Sequence, residues 1–377
     1  MRAGSVAIGC AVLLAACAAQ PTTSPQTAPA PRTSVTVSPA APASPTAAAR
    51  PAAAPPTAGP GTVTLAFGGD VHFTDYLADL LDDPTTSLRS LRDTLGAADL
   101  AMVNLETSIT GRGTPQPKSF HFRTTPAALD ALRAVGVDVV TMANNHAADY
   151  GPLGLQDTLE AKRDSPIPIV GIGSDAEQAY APAVLTAGGL RVAVFGSTQI
   201  FDLTAARFAA GPDSPGVAVN QRIGRLRAAV AQAAGRYDLV VVYLHWGTDY
   251  TTCPDSLQRF VATALESAGA DVIVGTHAHR VQGAGWLGRA YVGYGLGNFV
   301  WWRSAQPDSR SGVLTLTVDA TAARSGSPGP AVRAATWTPM LVTRTGMPQV
   351  ETGSSGASLL ASWKQARRCT GLSAAPD

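Results

Sequence analysis

Five apolar, strand-like runs of this chain each end in a short polar cluster, and that repeated feature narrows the folds open to it. TVTLAF (Thr62–Phe67) runs into GGDVH, DLAMVN (Asp99–Asn104) into NLE, and DVVTM (Asp138–Met142) into ANNH. DLVVVYL (Asp238–Leu244) runs into HWG, and DVIV (Asp271–Val274) into GTHAH. Segments with helical spacing lie between the runs, over 87–97, 126–135, 153–163, 221–234 and 257–268. Further strands are expected over 168–172 and 190–195, with alternation over 120–123. The stretches 289–293 and 312–318 are expected to be strands of a second sheet. Apolar strands alternating with helices predict an α/β fold with largely parallel sheets. In such sheets functional groups gather beyond the carboxyl ends of the strands, and every cluster falls at such an end.

The clusters are rich in metal-ligand chemistry. Five of the six histidines fall in them, as His72, His146, His245, His277 and His279. Asp70 and His72 are two apart, so in extended chain a carboxylate and an imidazole share one side and can grip one cation. His277 and His279 repeat the spacing with two imidazoles. Glu106 is placed to bridge two cations, and Asn145 offers a neutral carboxamide oxygen. Mixed nitrogen and oxygen donors suit Zn, Mn, Fe or Ni, whereas an all-oxygen set suits Mg or Ca. Taken singly, a buried histidine is usually a hydrogen-bonded core residue. Their joint placement after successive strands favours a site with two divalent transition metals.

The amino-terminal part reads differently. Arg2 precedes an apolar run over 3–16 that is too short to span a membrane and matches a signal peptide. Small residues before Cys17 match a bacterial lipobox, which makes Cys17 a lipidation site; the alternative is an ordinary signal peptide with Cys17 incidental. Residues 17–61 are mostly Pro, Ala, Thr and Ser without an acidic residue, the composition of an unfolded tether. The expected location is outside the cell, anchored by lipid to the outer face of the cytoplasmic membrane. Residues 62–303 form the main domain, and 304–377 are expected to complete its second sheet.

Charge and cysteine content exclude some classes. Residues 1–69 hold three arginines and no acid, leaving 25 basic against 27 acidic residues in the rest, a net of −2. No basic stripe with aromatics is present, so nucleic-acid binding has no footprint. Of four cysteines, Cys253 and Cys369 remain after the first two are assigned to the leader and the anchor. In an exported chain they are expected to pair, the alternative being two free thiols.

The order GGDVH, NLE, ANNH-x-x-DYG, HWGTDY, Gln258, GTHAHRVQG and YGLGNF resembles the CapA family of capsule (poly-γ-glutamate) synthesis proteins over about residues 62–303. That family is in turn similar to calcineurin-like metallophosphoesterases. The resemblance implies a four-layer αββα sandwich with two central sheets and a dinuclear metal centre. It implies that Asp70, His72 and His279 hold one metal, that Asn145, His245 and His277 hold the other, and that Glu106 bridges them. NLE departs from the phosphoesterase GD-x-x-D motif at that bridging position. His146 is implied to act on the leaving group or the developing charge, with Asp149 orienting it. Asn104, Arg123 and Asn298 are candidates to contact substrate. Trp301 and Trp302 either line a groove or pack in the core.

The function implied is a metal-dependent hydrolase that uses metal-activated hydroxide on a capsular or poly-γ-glutamate-type polymer. The alternatives are a phosphoesterase and a non-catalytic polymer assembly or export factor. The partners implied are an anionic cell-envelope polymer, the membrane through a lipid anchor, and a polymer synthetase complex.

Overall fold

The computed structural model describes residues 61–326 and 329–376. The segments expected to be a signal peptide and a tether, with Cys17, lie outside the described residues except for Gly61. The strands of the two large sheets are, in chain order, β1 (Thr62–Val71), β2 (Leu100–Leu105), β3 (Val139–Thr141), β4 (Ile169–Val170), β5 (Ala183–Ala187), β6 (Leu190–Thr198) and β7 (Leu239–Trp246). They continue as β8 (Val272–His277), β9 (Ala284–Leu287), β10 (Ala290–Gly293), β11 (Asn298–Val300), β12 (Arg310–Asp319), β13 (Val332–Val342) and β14 (Pro348–Val350). The first sheet has the order β14-β13-β12-β1-β2-β3-β4, with β11 also paired to β1. The second has the order β9-β10-β8-β7-β6-β5.

Period-two patterning makes the layers. On β7, Leu239, Val241 and Tyr243 face Val63, Leu65 and Phe67 of β1 in a core between the sheets. The alternate residues Val240, Val242 and Leu244 face outward. There they meet Leu226 and Val230 of α3 (Gly224–Ala234) and Val261 and Leu265 of α4 (Ser256–Glu266); the first two long helices, α1 (Ala127–Ala134) and α2 (Gly151–Asp164), cover the first sheet. Leu129 and Leu132 of α1 and Leu155 of α2 pack there on Val103, Leu105 and Val140. The architecture is therefore α/β with helices outside two facing sheets. Strands buried on both faces must be continuously apolar, which is why the runs were legible.

Several expected elements differ. Gly312–Val318 belongs to β12, which pairs antiparallel with β1, Leu65 opposite Leu316. The carboxyl-terminal strands β12 to β14 therefore complete the first sheet and not the second. Leu314, Leu316 and Val318 join the inter-sheet core, a packing that either sheet would have satisfied. The stretch 87–97 breaks into two short helices, Pro84–Ser87 and Arg89–Thr94. Asp83 accepts a hydrogen bond from Thr86 N and caps the first, so helix begins earlier than the apolar spacing indicates. The alternation over 120–123 yields strand only at Arg123–Thr124.

Two local features aim the polar clusters. The parallel pairings put Asp70 beside Asn104 and Trp246 beside His277, so all five cluster-bearing strands end at one rim. Asp70 N donates to Gly297 O at 3.0 Å, and a Cβ on Gly69 would lie 1.9 Å from that same oxygen. Only glycine fits at 69, which explains the GG before Asp70. Farther out, Cys253 and Cys369 are disulfide-bonded across a separation of 116 residues. That bond ties the loop after β7 to the segment following α5 (Gly353–Ala366).

Candidate metal centre

At the rim, Asp70, Glu106 and His245 bring one ligand atom each within 4.8 Å of one another, and so do Glu106, His277 and His279. Glu106 belongs to both groups. The expected pairings are also in contact: His279 Nδ1 lies 3.5 Å from Asp70 Oδ2, and His277 Nδ1 lies 3.1 Å from His245 Nε2. His245, near the end of β7, reaches both carboxyls: its Nδ1 lies 3.8 Å from Asp70 Oδ1, and its Nε2 lies 3.4 Å from Glu106 Oε1. Asn145 Oδ1 sits 2.7 Å from His245 Nε2, and His277 Nδ1 is 3.1 Å from the same nitrogen. His277 N donates to Asp70 Oδ2 at 3.2 Å. His277 and His279 take φ of 86° and 49°, a region that non-glycine residues seldom enter and that clusters at functional sites.

His72 stands outside both groups. Its Nδ1 accepts from Thr74 N at 3.3 Å, and its ring stacks on Phe122 at 4.4 Å. Its Nε2 is buried without a hydrogen-bond partner. Glu106 Oε1 and Oε2 are also buried without one. An unsatisfied buried polar atom costs about 1–3 kcal/mol, so three in one cluster demand a ligand that satisfies them. Carboxylate and imidazole donors converging on one point fit a divalent cation.

The protonation states agree with this. Burial pushes the Asp70 carboxyl up to about 7, with the nearby Glu106 adding to the rise. Burial raises Glu106 well above the carboxylate range. Burial also lowers His245 to about 4 and His279 to about 3, and holds His72, His146 and His277 well below their ordinary value. The imidazoles are neutral, which is the ligating form, while burial favours the protonated carboxyls, which a bound cation would ionise.

His146 lies beside the groups as half of a pair. Its Nδ1 is 2.7 Å from Asp149 Oδ2, and its Nε2 faces Glu106 Oε1 at 3.8 Å. Asp149 is itself fixed by Lys118 Nζ at 2.5 Å and by Phe122 N at 2.6 Å. Burial raises its carboxyl to about 6 against the opposing pull of Lys118. Phe122 stacks on His146 at 4.1 Å, so one aromatic ring is sandwiched between His72 and His146. Lys118 was missed from the sequence. Its one signal was rarity, since the chain has only three lysines.

A cavity of about 110 Å³ opens over this centre, lined by Asn145, His146, His277, His279, Trp301 and Arg303 among others. The candidate substrate contacts are redistributed. Asn104 is buried and donates to Asp70 Oδ1 at 2.8 Å, so it holds a candidate ligand and does not line the cavity. Asn298 lines the cavity, but its Oδ1 is 2.8 Å from His279 Nδ1 and its Nδ2 donates to Asp308 O, so its amide is spent on the protein. Arg123 points away and lies over the Tyr150 ring at 4.9 Å. The cation on the cavity wall is Arg303, held 3.1 Å from Asp308. Trp301 and Trp302 do line the cavity, with Trp301 against His279 at 4.7 Å.

Residues 64–301 match the family model described as bacterial capsule synthesis protein PGA_cap. The chain belongs to the PGA_cap family. It is 33% identical over 183 residues to "Capsule biosynthesis protein CapA" of Bacillus anthracis, covering 48% of this chain and 44% of the relative. It is 30% identical over 246 residues to "PGA biosynthesis protein CapA" of Bacillus subtilis (strain 168), covering 63% of each. A "Probable polyglutamine synthesis accessory protein" of Mycobacterium tuberculosis is 33% identical over 193 residues, covering 48% of this chain and 50% of the relative. The matches thus span about half to two thirds of these relatives' lengths. A solved structure described as a novel phosphatase from Mycoplasma pneumoniae covers 79% of this chain and 96% of its own, at 16% identity and a TM-score of 0.45. The PGA_cap match ends at the cavity wall, at Trp301, and takes in every residue of the two donor groups.

A pH dependence follows for cation uptake. At pH 6 the metal-free protein keeps protons on Asp70 and Glu106, and a cation must displace them. Adding Mn²⁺ or Zn²⁺ to chelator-treated protein at pH 6 is expected to release on the order of one to two protons, and binding should tighten as pH rises through 7. Titration calorimetry in buffers of different ionisation enthalpy measures this. Uptake without proton release would mean that the carboxylates were already ionised.

Proposed function

We propose that this PGA_cap-family chain is an exported, lipid-anchored hydrolase that uses two divalent transition metals on a carboxylate-bearing capsular polymer of the poly-γ-glutamate type. The observation that carries the reading is Glu106, with two buried oxygens lacking partners between two donor groups, and the His146–Asp149 pair beside it. Bound there, divalent cations would supply Lewis acidity and a water of lowered pKa. Asp70, Glu106, His245, His277 and His279 would hold them, with Asn145 and His72 completing the set.

The remaining chemistry belongs to the chain. An ionised Asp149 can only accept, so neutral His146 would donate Nδ1–H to it and leave Nε2, 3.8 Å from Glu106 Oε1, as a proton acceptor. A proton taken there is held as imidazolium by Asp149, which Lys118 in turn fixes, and can pass to the leaving group. Phe122 excludes water from one ring face. The narrow cavity admits one group of a chain at a time, which suits an amide or ester link more than a bulky side chain. The disulfide supports export, because such bonds persist in oxidising compartments.

The relatives' names, which speak of biosynthesis and an accessory role, favour a second reading: a polymer assembly factor in which the cations grip polymer carboxylates without bond cleavage. Replacing His146 with Ala separates the two. Hydrolysis of poly-γ-glutamate should fall about 10²–10⁴-fold with metal content retained. Metal-loaded parent protein that leaves the polymer intact supports the assembly factor and sinks the hydrolase. For the anchor, Cys17→Ser should move the protein from the membrane fraction to the medium; a variant that stays with the membrane refutes lipidation at that residue.

A further inference from the structure

A second cavity lies beyond the metal centre and is unused by the chemistry above. It measures about 460 Å³, roughly four times the cavity over the candidate ligands. Arg280, Arg310 and Arg368 line it, together with Trp337 and Trp363, and its lining contains no aspartate or glutamate. We propose that this groove is a binding site for an extended, carboxylate-bearing chain, holding the polymer beside the metal cavity. The proposal rests on the polymer reading above and adds where the rest of the chain lies.

Charge gives the first argument. Some arginines of the chain are neutralised by carboxylates, as in Arg112–Asp157, Arg289–Asp271 and Arg303–Asp308. Among the described residues, Arg310 and Arg368 have no such partner. Arg310 Nε donates only to the neutral Gln306 Oε1, at 3.1 Å. The folded part has a slight net negative charge, so two uncompensated guanidinium groups in one acid-free cavity make a local positive field. Guanidinium groups bind carboxylates through two parallel hydrogen bonds, which selects that anion by shape as well as by charge.

Surface chemistry gives the second. Trp337 and Trp363 stack with ring centroids 5.5 Å apart and 11° between planes, both buried. Together with Val281, Pro307 and Leu359 they give the groove an apolar floor, suited to methylene groups. A ligand that alternates methylenes with carboxylates meets both kinds of wall.

Position gives the third. Arg280 follows His279, and its guanidinium pairs with Asp308 at 2.9 Å and lies 4.9 Å from the Tyr250 ring centroid. Tyr250 and Arg303 line the metal cavity, and Arg303 pairs with the same Asp308. Ser311 lines the groove and donates to the backbone oxygen of Asn298, which lines the metal cavity. One layer of residues therefore separates the two spaces. Cys253 and Cys369 form part of the groove wall, so the disulfide fixes its width.

The test is a binding titration of the full chain with a synthetic γ-linked glutamyl oligomer, comparing the parent with the R310Q/R368Q variant. Melting temperature and metal content are measured on the same samples. The variant should keep both and bind the oligomer about tenfold or more weakly, with a shallower salt dependence. Parent-like affinity in a folded variant overturns the groove and leaves the polymer reading standing. A poly(glycerol phosphate) chain that binds the parent as tightly as the glutamyl oligomer overturns the carboxylate assignment. Absence of oligomer binding by the parent overturns the groove and the polymer reading together, while the metal content of those samples judges the metal centre separately.

Discussion

Two fully buried carboxyl groups set among imidazoles are the constraint around which this rim is arranged. Asp70 and Glu106 sit at the carboxyl ends of neighbouring strands, fully enclosed, within reach of three imidazoles. Left alone, such groups hold their protons, as the raised carboxyls of both residues indicate. The fold nonetheless spends glycine at 69, strained backbone at His277 and His279, and a run of buried asparagines to keep them there. Local strain and unsatisfied polar atoms persist only where surrounding structure imposes them, and they concentrate where a ligand is held.

The asparagines show how the surroundings impose it. Asn104 donates to Asp70, and Asn144 donates to Asn104 Oδ1 and to Leu105 O. Asn144 also accepts from His146 N, so one amide links the loop of the acid–base pair to the strand of the buried carboxylates. Asn298 orients His279 from the other side. At the rear of the loop after β7, the Asp255 side chain accepts from Gln258 N and Asp255 N donates to Gln258 Oε1, which starts α4. Gln258 then donates to Gln282, which reaches Thr251 O. The chain thereby holds Asp249 3.2 Å from His277. The conspicuous polar residues outside the donor groups act mainly by fixing the donors.

Much of this was readable in the sequence because strands buried on both faces are continuously apolar and their ends are then conspicuous. The α/β architecture and the clustering of Asp70, Glu106 and the histidines follow from that one pattern, while the family was legible in the order of the polar motifs themselves. What was not readable depended on tertiary pairing. Gly312–Val318 is equally apolar in either sheet, and only its antiparallel pairing with β1 decides. Which imidazole meets which carboxylate depends on the relative twist of two sheets, and Asp70 meets both His279 and His245. Residues 116–122 have little regular structure, and Lys118 and Phe122 reach the site through single contacts without periodic trace. Arg123 and Arg303 look alike in sequence, and only the loop path puts Arg303 on the cavity.

The claim on which the account depends is that the two donor groups sharing Glu106 hold divalent cations. Anomalous diffraction from crystals of the chain grown with Mn²⁺ tests it directly. The account predicts two peaks, one among Asp70, Glu106 and His245 and the other among Glu106, His277 and His279. Ordered side chains at all five positions with no anomalous peak between them would contradict it.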